Sequence, residues 1–134
     1  MLVTKNSRYP VNSEADVVAV RQNVRTWSGE CGFSLVEQTK MVTAASELAR
    51  NTLIYGGGGI AEFDKLDDGR RKGLRIVFAD EGPGILNVEQ AMRDGFTSGN
   101  GLGLGLGGAR RLVNEFDIDS AAGKGTRVTI VRWK

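Results

Sequence analysis

Thirteen of the nineteen glycines in this chain of 134 residues gather in three places, 56–59, 82–84 and 95–108. Clustering of this kind is local loop chemistry and not low complexity. The middle cluster organises the rest. There the apolar run Leu74-Arg75-Ile76-Val77-Phe78-Ala79 ends in Asp80-Glu81-Gly82-Pro83-Gly84-Ile85. A strand runs into a carboxylate and then into a turn. Gly82 and Gly84 leave no Cβ in the way, so a flat ligand can lie against the backbone. Asp80, at the strand end, can accept hydrogen bonds from that ligand. Taken alone the pattern also describes a plain turn, so the other segments decide its meaning.

Residues 2–11 are β-prone and read as an edge strand, since Pro10 has no N–H to give to a ladder. Asn12 or Ser13 can cap a first helix, with Asp16 in its first turn and Val17, Val20, Val24 and Trp27 at helical spacing. Gly29 and Gly32 end it. Ser34 and Glu37 form a capping box for a second helix that runs to about Tyr55 and stops at the four glycines 56–59. Its buried stripe is expected at Val42, Ala45, Ala49 and Thr52 or Leu53. Glu47 and Asn51, four apart, share one face among small and apolar neighbours, and Thr43 and Tyr55 extend that row.

Residues 60–66 and 74–80 read as an antiparallel hairpin around the polar turn 67–73, whose Arg70-Arg71-Lys72 is a solvated tip. Asn87 can cap a short helix reaching Arg93. The glycine-rich stretch 95–108 enters a helix expected over about 104–116, with Leu106, Ala109, Leu112, Val113 and Phe116 inward. A glycine-rich loop before a helix N-terminus offers unpaired N–H groups and the positive end of the helix dipole, which suits phosphate. Strands at 117–122 and 126–133 around Gly123-Lys124-Gly125 form a second hairpin. Trp133 is open to two readings, a packed strand end or a partner contact. The stretch 95–108 lacks the Gly-Lys-Ser/Thr ending of a P-loop, and it sits between two helices rather than after a first strand, which removes the dinucleotide-fold reading.

Composition narrows the field. Eighteen basic and sixteen acidic residues, interspersed, leave +2 and no basic stripe, so nucleic acid is not an expected partner. No run approaches a membrane span, and the start of the chain has no apolar core of signal-peptide length. Cys31 stands alone, which rules out an intrachain disulfide and fits a reducing cytoplasm. There is no histidine, so histidine base catalysis, a histidine metal ligand and a phosphohistidine are all excluded. The length suits one domain over 1–134.

In sequence order, Glu47-Leu48-Ala49-Arg50-Asn51, Asp80-Glu81-Gly82-Pro83-Gly84, Gly101-Leu102-Gly103-Leu104-Gly105-Leu106 and Gly125-Thr126 resemble the N box, G1 box, G2 box and closing Gly-Thr element of the Bergerat or GHKL ATP-binding superfamily. Within it the chain is most similar to the RsbT-type switch serine/threonine kinases, related to the anti-sigma-factor kinases. The pieces Ser46 to Asn51, Asp80 to Ile85, Gly95-Phe96-Thr97-Ser98 and Ala122 to Thr126 carry that likeness. The fold it implies is an α+β two-layer sandwich, a mixed, mainly antiparallel sheet with helices on one face. Asn51 is followed by Thr52-Leu53-Ile54-Tyr55, not by the Asp-Ala of the ATPase branches, which fits the kinase branch.

The resemblance also implies roles. Asp80 accepts the adenine amino group, with Gly82 and Gly84 allowing close approach and Thr126 supporting the carboxylate or a bound water. Asn51 holds Mg²⁺ through its side-chain oxygen, and Glu47 is the general base. Gly95 to Asn100 form a flexible lid that orders when nucleotide binds, the backbone N–H groups of Gly101, Gly103 and Gly105 cradle the phosphates, and Gly99, Leu102 and Leu106 join them in binding the nucleotide. Arg50 and Arg110 are candidates for added positive charge. The activity implied is transfer of the γ-phosphate of Mg-ATP to a serine or threonine of a STAS-domain antagonist in a stressosome-like partner-switching module, with a downstream phosphatase as second target. Two alternatives use the same pocket: a nucleotide-dependent module that sequesters a sigma factor, and a bare ATPase.

Overall fold

The computed structural model describes residues 1–93 and 105–134. The chain runs β1 (Leu2–Val11), α1 (Glu14–Glu30), α2 (Leu35–Ile54), β2 (Gly59–Asp67), β3 (Lys72–Asp80), α3 (Val88–Ala91), α4 (Leu106–Arg111), β4 (Glu115–Ser120) and β5 (Thr126–Trp133). The five strands form one sheet in the order β1-β2-β3-β5-β4. All four pairings are antiparallel, so the parallel component allowed for in a mixed sheet does not occur among the described residues. β1 is an edge strand, and Pro10 sits there opposite Ile60, where one flank needs no donor. β3 lies at the centre, and Asp80 is its last residue.

One face of the sheet carries the core. Tyr9, Phe63, Ile76, Phe78 and Ile130 point to the helices. Phe63 receives the edges of two rings, Tyr9 at 5.0 Å and Trp27 at 5.3 Å between centroids. Such edge-to-face pairs add to the burial of large apolar surfaces. Lys5 lies over the outer side of Trp27 and shares Glu30 with Lys65. The other sheet face alternates to polar residues. There Arg75 holds the largely buried Asp64 at 2.9 Å, Asn6 donates to the same carboxylate, and Arg8 pairs with Glu62. Cys31 is buried, its thiol reaches the Gly73 carbonyl, and burial pushes its ionisation up, so it is an inert core thiol.

Helix starts follow the capping residues. Ser13 accepts from Asp16 N–H at the head of α1. Ser34 and Glu37 make both bonds of the capping box on α2, at 3.1 and 2.9 Å. Replacing Ser34 with alanine is expected to cost about 1 kcal/mol; urea unfolding should show a lower midpoint with an unchanged slope. The Ser34 backbone N–H holds the Glu37 carboxyl below the usual range. The stabilisation from that contact is therefore present above the ordinary glutamate pKa and is lost as pH falls through the lowered one.

Three expectations change. The buried stripe of α2 is Met41, Ala44, Ala45, Leu48, Ala49 and Thr52, while Val42 is only half-buried. The helix expected over 104–116 is the six-residue α4: Asn114 N–H bonds to the Val131 carbonyl and Phe116 pairs with Ile130 as part of β4. The short helix after Asn87 likewise spans only Val88–Ala91, capped by Asn87 as expected. Trp133 packs as a strand end, donating to Glu115 at 2.7 Å with Arg71 over its ring.

Candidate functional site

Two strand ends and one long helix converge at one end of the sheet. α2 lays a face across the sheet and delivers Leu48, Asn51, Thr52 and Tyr55. β3 delivers Phe78 and Asp80, and β5 delivers Thr126 and Val128. Pro83, Gly84 and Ile85 close one side, and Leu106 of α4 closes another. Together they bound a cavity of about 210 Å³. Leu48, Phe78, Val128 and Leu106 are buried core residues, so the floor is apolar. A flat aromatic ring can sit there, and the polar groups stand at its rim.

Asp80 is the charged group of that rim and is half-buried. Its carboxylate accepts the Gly82 N–H at 2.9 Å. Burial raises its pKa; the backbone N–H groups of Gly82 and Thr126 pull the other way without cancelling the rise. The backbone around it is packed to contact. A Cβ on Gly56 would collide with the Asp80 carboxylate. Gly84 has φ +74° and faces the Ala121 carbonyl so closely that only a glycine fits. Gly56 ends the turn after α2, where its N–H bonds to the Asn51 carbonyl.

The other sequence-derived candidates divide. Asn51 and Thr126 are half-buried and line the cavity with Asp80, Gly84 and Leu106. Glu47 lies one turn before Asn51, exposed and outside the base-sized cavity. Its carboxylate adjoins the start of α4: a Cβ on Gly105 would lie 2.5 Å from Oε2. Gly82 backs Asp80 rather than lining the cavity. Arg50 is exposed on α2 and does not line it, and Arg110 is exposed in the last turn of α4. Gly99, Gly101, Leu102 and Gly103, with the lid reading of 95–100, lie outside the described residues. Residues the pattern did not single out for the site are Thr52, Tyr55, Gly56, Phe78 and Val128. The signal available for Thr52 and Tyr55 was the four-residue step from Leu48 and Asn51 along α2.

The site has few candidate metal ligands. Among the described residues no group of three or more Asp, Glu, His or Cys side chains could enclose an ion. What it offers is one side-chain amide at Asn51. That suits a small hard cation that keeps its waters and takes most of its oxygens from a phosphorylated ligand.

An apolar slot with a half-buried carboxylate at its edge, set between a long helix and an antiparallel sheet, defines a nucleotide-binding class. The chain belongs to the histidine kinase-like ATPase domain family, whose model matches residues 11–132. Among its relatives it is 43% identical over 123 residues to the serine/threonine-protein kinase RsbT of Bacillus subtilis, with 92% of each chain covered. It is 31% identical over 131 residues to an anti-sigma F factor of Clostridium beijerinckii, covering 90% of this chain and 87% of that one. The fold is also that of a crystal structure of the RsbU and RsbW domains of Rv1364c from Mycobacterium tuberculosis, with a TM-score of 0.66 and 22% identity. That alignment takes in 98% of this chain and 33% of the larger one. No helix among the described residues is long and apolar enough to cross a membrane.

Proposed function

We propose that this chain is an ATP-dependent protein serine/threonine kinase that phosphorylates a STAS-domain antagonist in a bacterial partner-switching module. The observation that carries the reading is that Asp80 and Asn51 stand on the walls of one cavity, with Glu47 a single helical turn outside it. The adenine ring occupies the apolar slot, its amino group toward Asp80. The phosphates then run outward past Asn51 toward the start of α4. Asn51 would hold Mg²⁺ through its side-chain oxygen, and the ion when bound would supply charge neutralisation of the transferring group. Glu47 is where the acceptor arrives. The hydroxyl of a partner serine or threonine attacks the γ-phosphorus, the bond to the β,γ-bridging oxygen breaks, ADP leaves, and the hydroxyl proton passes to the Glu47 carboxylate. The exposure of Glu47 supports this role, because a protein substrate must reach it.

The likeness to the serine/threonine-protein kinase RsbT supports kinase activity as the principal role; one catalytic domain as the unit and a downstream phosphatase as a second target are part of the same proposal. The lone, buried Cys31 supports a cytoplasmic setting. The similarity to anti-sigma F factors favours a second reading, in which the nucleotide-bound chain holds a sigma factor. The test is incubation with γ-labelled Mg-ATP and a purified STAS-domain protein from the same organism. Label on a partner serine or threonine is the expected result. Tight ATP binding with no label on that partner would move the assignment to sequestration.

A further inference from the structure

Ser120, the last residue of β4, does not line the cavity, yet three of the groups that shape it meet on its hydroxyl. The Ile85 N–H donates to Ser120 Oγ at 2.8 Å. Ser120 Oγ donates to the Gly125 carbonyl at 3.0 Å, and it lies 2.8 Å from Thr126 Oγ1. A serine hydroxyl has one proton and two lone pairs, and three protein partners use all of them. Two of these bonds close the hairpin turn between β4 and β5, and the third reaches Ile85, 35 residues away in sequence. The hydroxyl therefore pins the turn that carries Gly84 to the start of β5. It also pins the side chain of Thr126, which faces the cavity beside its ladder partner Asp80.

We infer that Ser120 is a positioning residue that sets nucleobase selectivity through Thr126; the inference rests on the nucleotide reading proposed above. Asp80 and Thr126, ladder partners, form a two-point polar edge beside the apolar floor of Leu48, Phe78, Leu106 and Val128. An ionised Asp80 accepts only, so it favours a 6-amino purine and opposes a 6-oxo purine. That discrimination depends on the ring being held at one depth and one angle, which the second point fixes. With its own proton on the Gly125 carbonyl, Ser120 accepts from the Thr126 hydroxyl, and the Thr126 oxygen stays in one place while Ser120 is present. Without Ser120 the Thr126 hydroxyl turns freely, the second point is lost, and the ring can shift to relieve a mismatched edge.

The experiment is a double-mutant cycle on the full chain, with Kd for ATP and for GTP measured by calorimetry and kcat at saturating ATP. Ser120→Ala is expected to weaken ATP binding about fivefold, the cost of one lost neutral hydrogen bond, with GTP binding and kcat little changed. The preference for ATP over GTP falls by that factor. Thr126→Val, which keeps the side-chain shape, is expected to lower the preference by a similar factor. Adding Ser120→Ala to Thr126→Val should then change it no further. Equal losses for ATP and GTP, or the same Ser120→Ala cost in both backgrounds, would mean that Ser120 only braces the fold, and would overturn the proposal. So would an unchanged preference in Thr126→Val. A wild-type chain that binds neither nucleotide overturns the pocket reading itself, and is told apart from the other outcomes before any variant is made.

Discussion

Replacing Glu47 with glutamine is expected to lower phosphotransfer to the partner protein by about 10²- to 10⁴-fold, the span that a positioned general base supplies. ATP binding should stay close to wild type. The two effects separate because of where the side chain sits. Glu47 lies on the exposed side of α2, outside the cavity formed by Phe78, Asp80 and Val128. Its carboxylate instead adjoins Gly105 at the head of α4. Glutamine has the same shape and can accept a hydrogen bond from the incoming hydroxyl, but its amide cannot take the proton. Single-turnover transfer of label from ATP, alongside a calorimetric titration with ATP, reads both quantities. Transfer at the wild-type rate would remove Glu47 from the base role. Lost nucleotide binding would instead mean that this face of α2 shapes the pocket.

The sequence reads best where the signal is local. The Ser34 and Glu37 box, the Ser13 cap and the hairpin from Gly59 to Asp80 each rest on residues a few positions apart, and each is present. It reads least well where a distant partner decides. The spacing Leu106, Ala109, Leu112, Val113, Phe116 fits a helix. However, Phe116 and Ile118 also fit a strand, and the edge of β5 claims that segment through Val128 and Ile130. The stripe on α2 is broader than one row because the helix packs on both α1 and the sheet, which buries Met41 and Ala44 as well as Ala45 and Ala49.

The site divides along the same line. Asp80 and Gly84 are legible because a carboxylate and a glycine turn at a strand end carry chemistry, and Asn51 and Thr126 through the resemblance of their segments to the N box and the closing Gly-Thr element. Phe78 and Val128 are not, since an apolar residue in a strand looks the same whether it faces core or ligand. Gly56 reads as a helix stop; only the packed structure shows its backbone against the Asp80 carboxylate. Ser120 has no sequence signal of its own, because its three partners come from a turn and a strand that fold back to it.

The second large effect is at Asp80, where function and stability pull apart. Asp80→Ala should weaken ATP binding by about 10- to 150-fold, the equivalent of one charge-assisted hydrogen bond of about 1.5–3 kcal/mol. Asp80→Asn is the sharper variant, since it keeps the shape and an oxygen to accept the Gly82 N–H now at 2.9 Å. It lacks the charge, and its amide can turn a donor toward the base. Burial raises the Asp80 pKa above the ordinary aspartate value of 3.8. A raised carboxyl pKa means that the fold prefers the protonated form. Its stabilising contribution is complete below the unfolded pKa and is lost as pH rises through the folded one. Above that folded-state pKa the wild type carries an ionised, half-buried carboxylate that opposes folding. In the absence of nucleotide, Asp80→Asn should melt at or above the wild-type temperature at pH 7, while binding ATP more weakly. The difference in melting temperature should close as the pH falls toward the ordinary aspartate range. Thermal melts across pH, paired with ATP titrations, read both. An Asp80→Ala variant with wild-type ATP affinity would end the assignment of this cavity. An Asp80→Asn variant that is less stable than wild type at neutral pH would mean that the hydrogen bonds from Gly82 and Thr126 outweigh the burial of the charge.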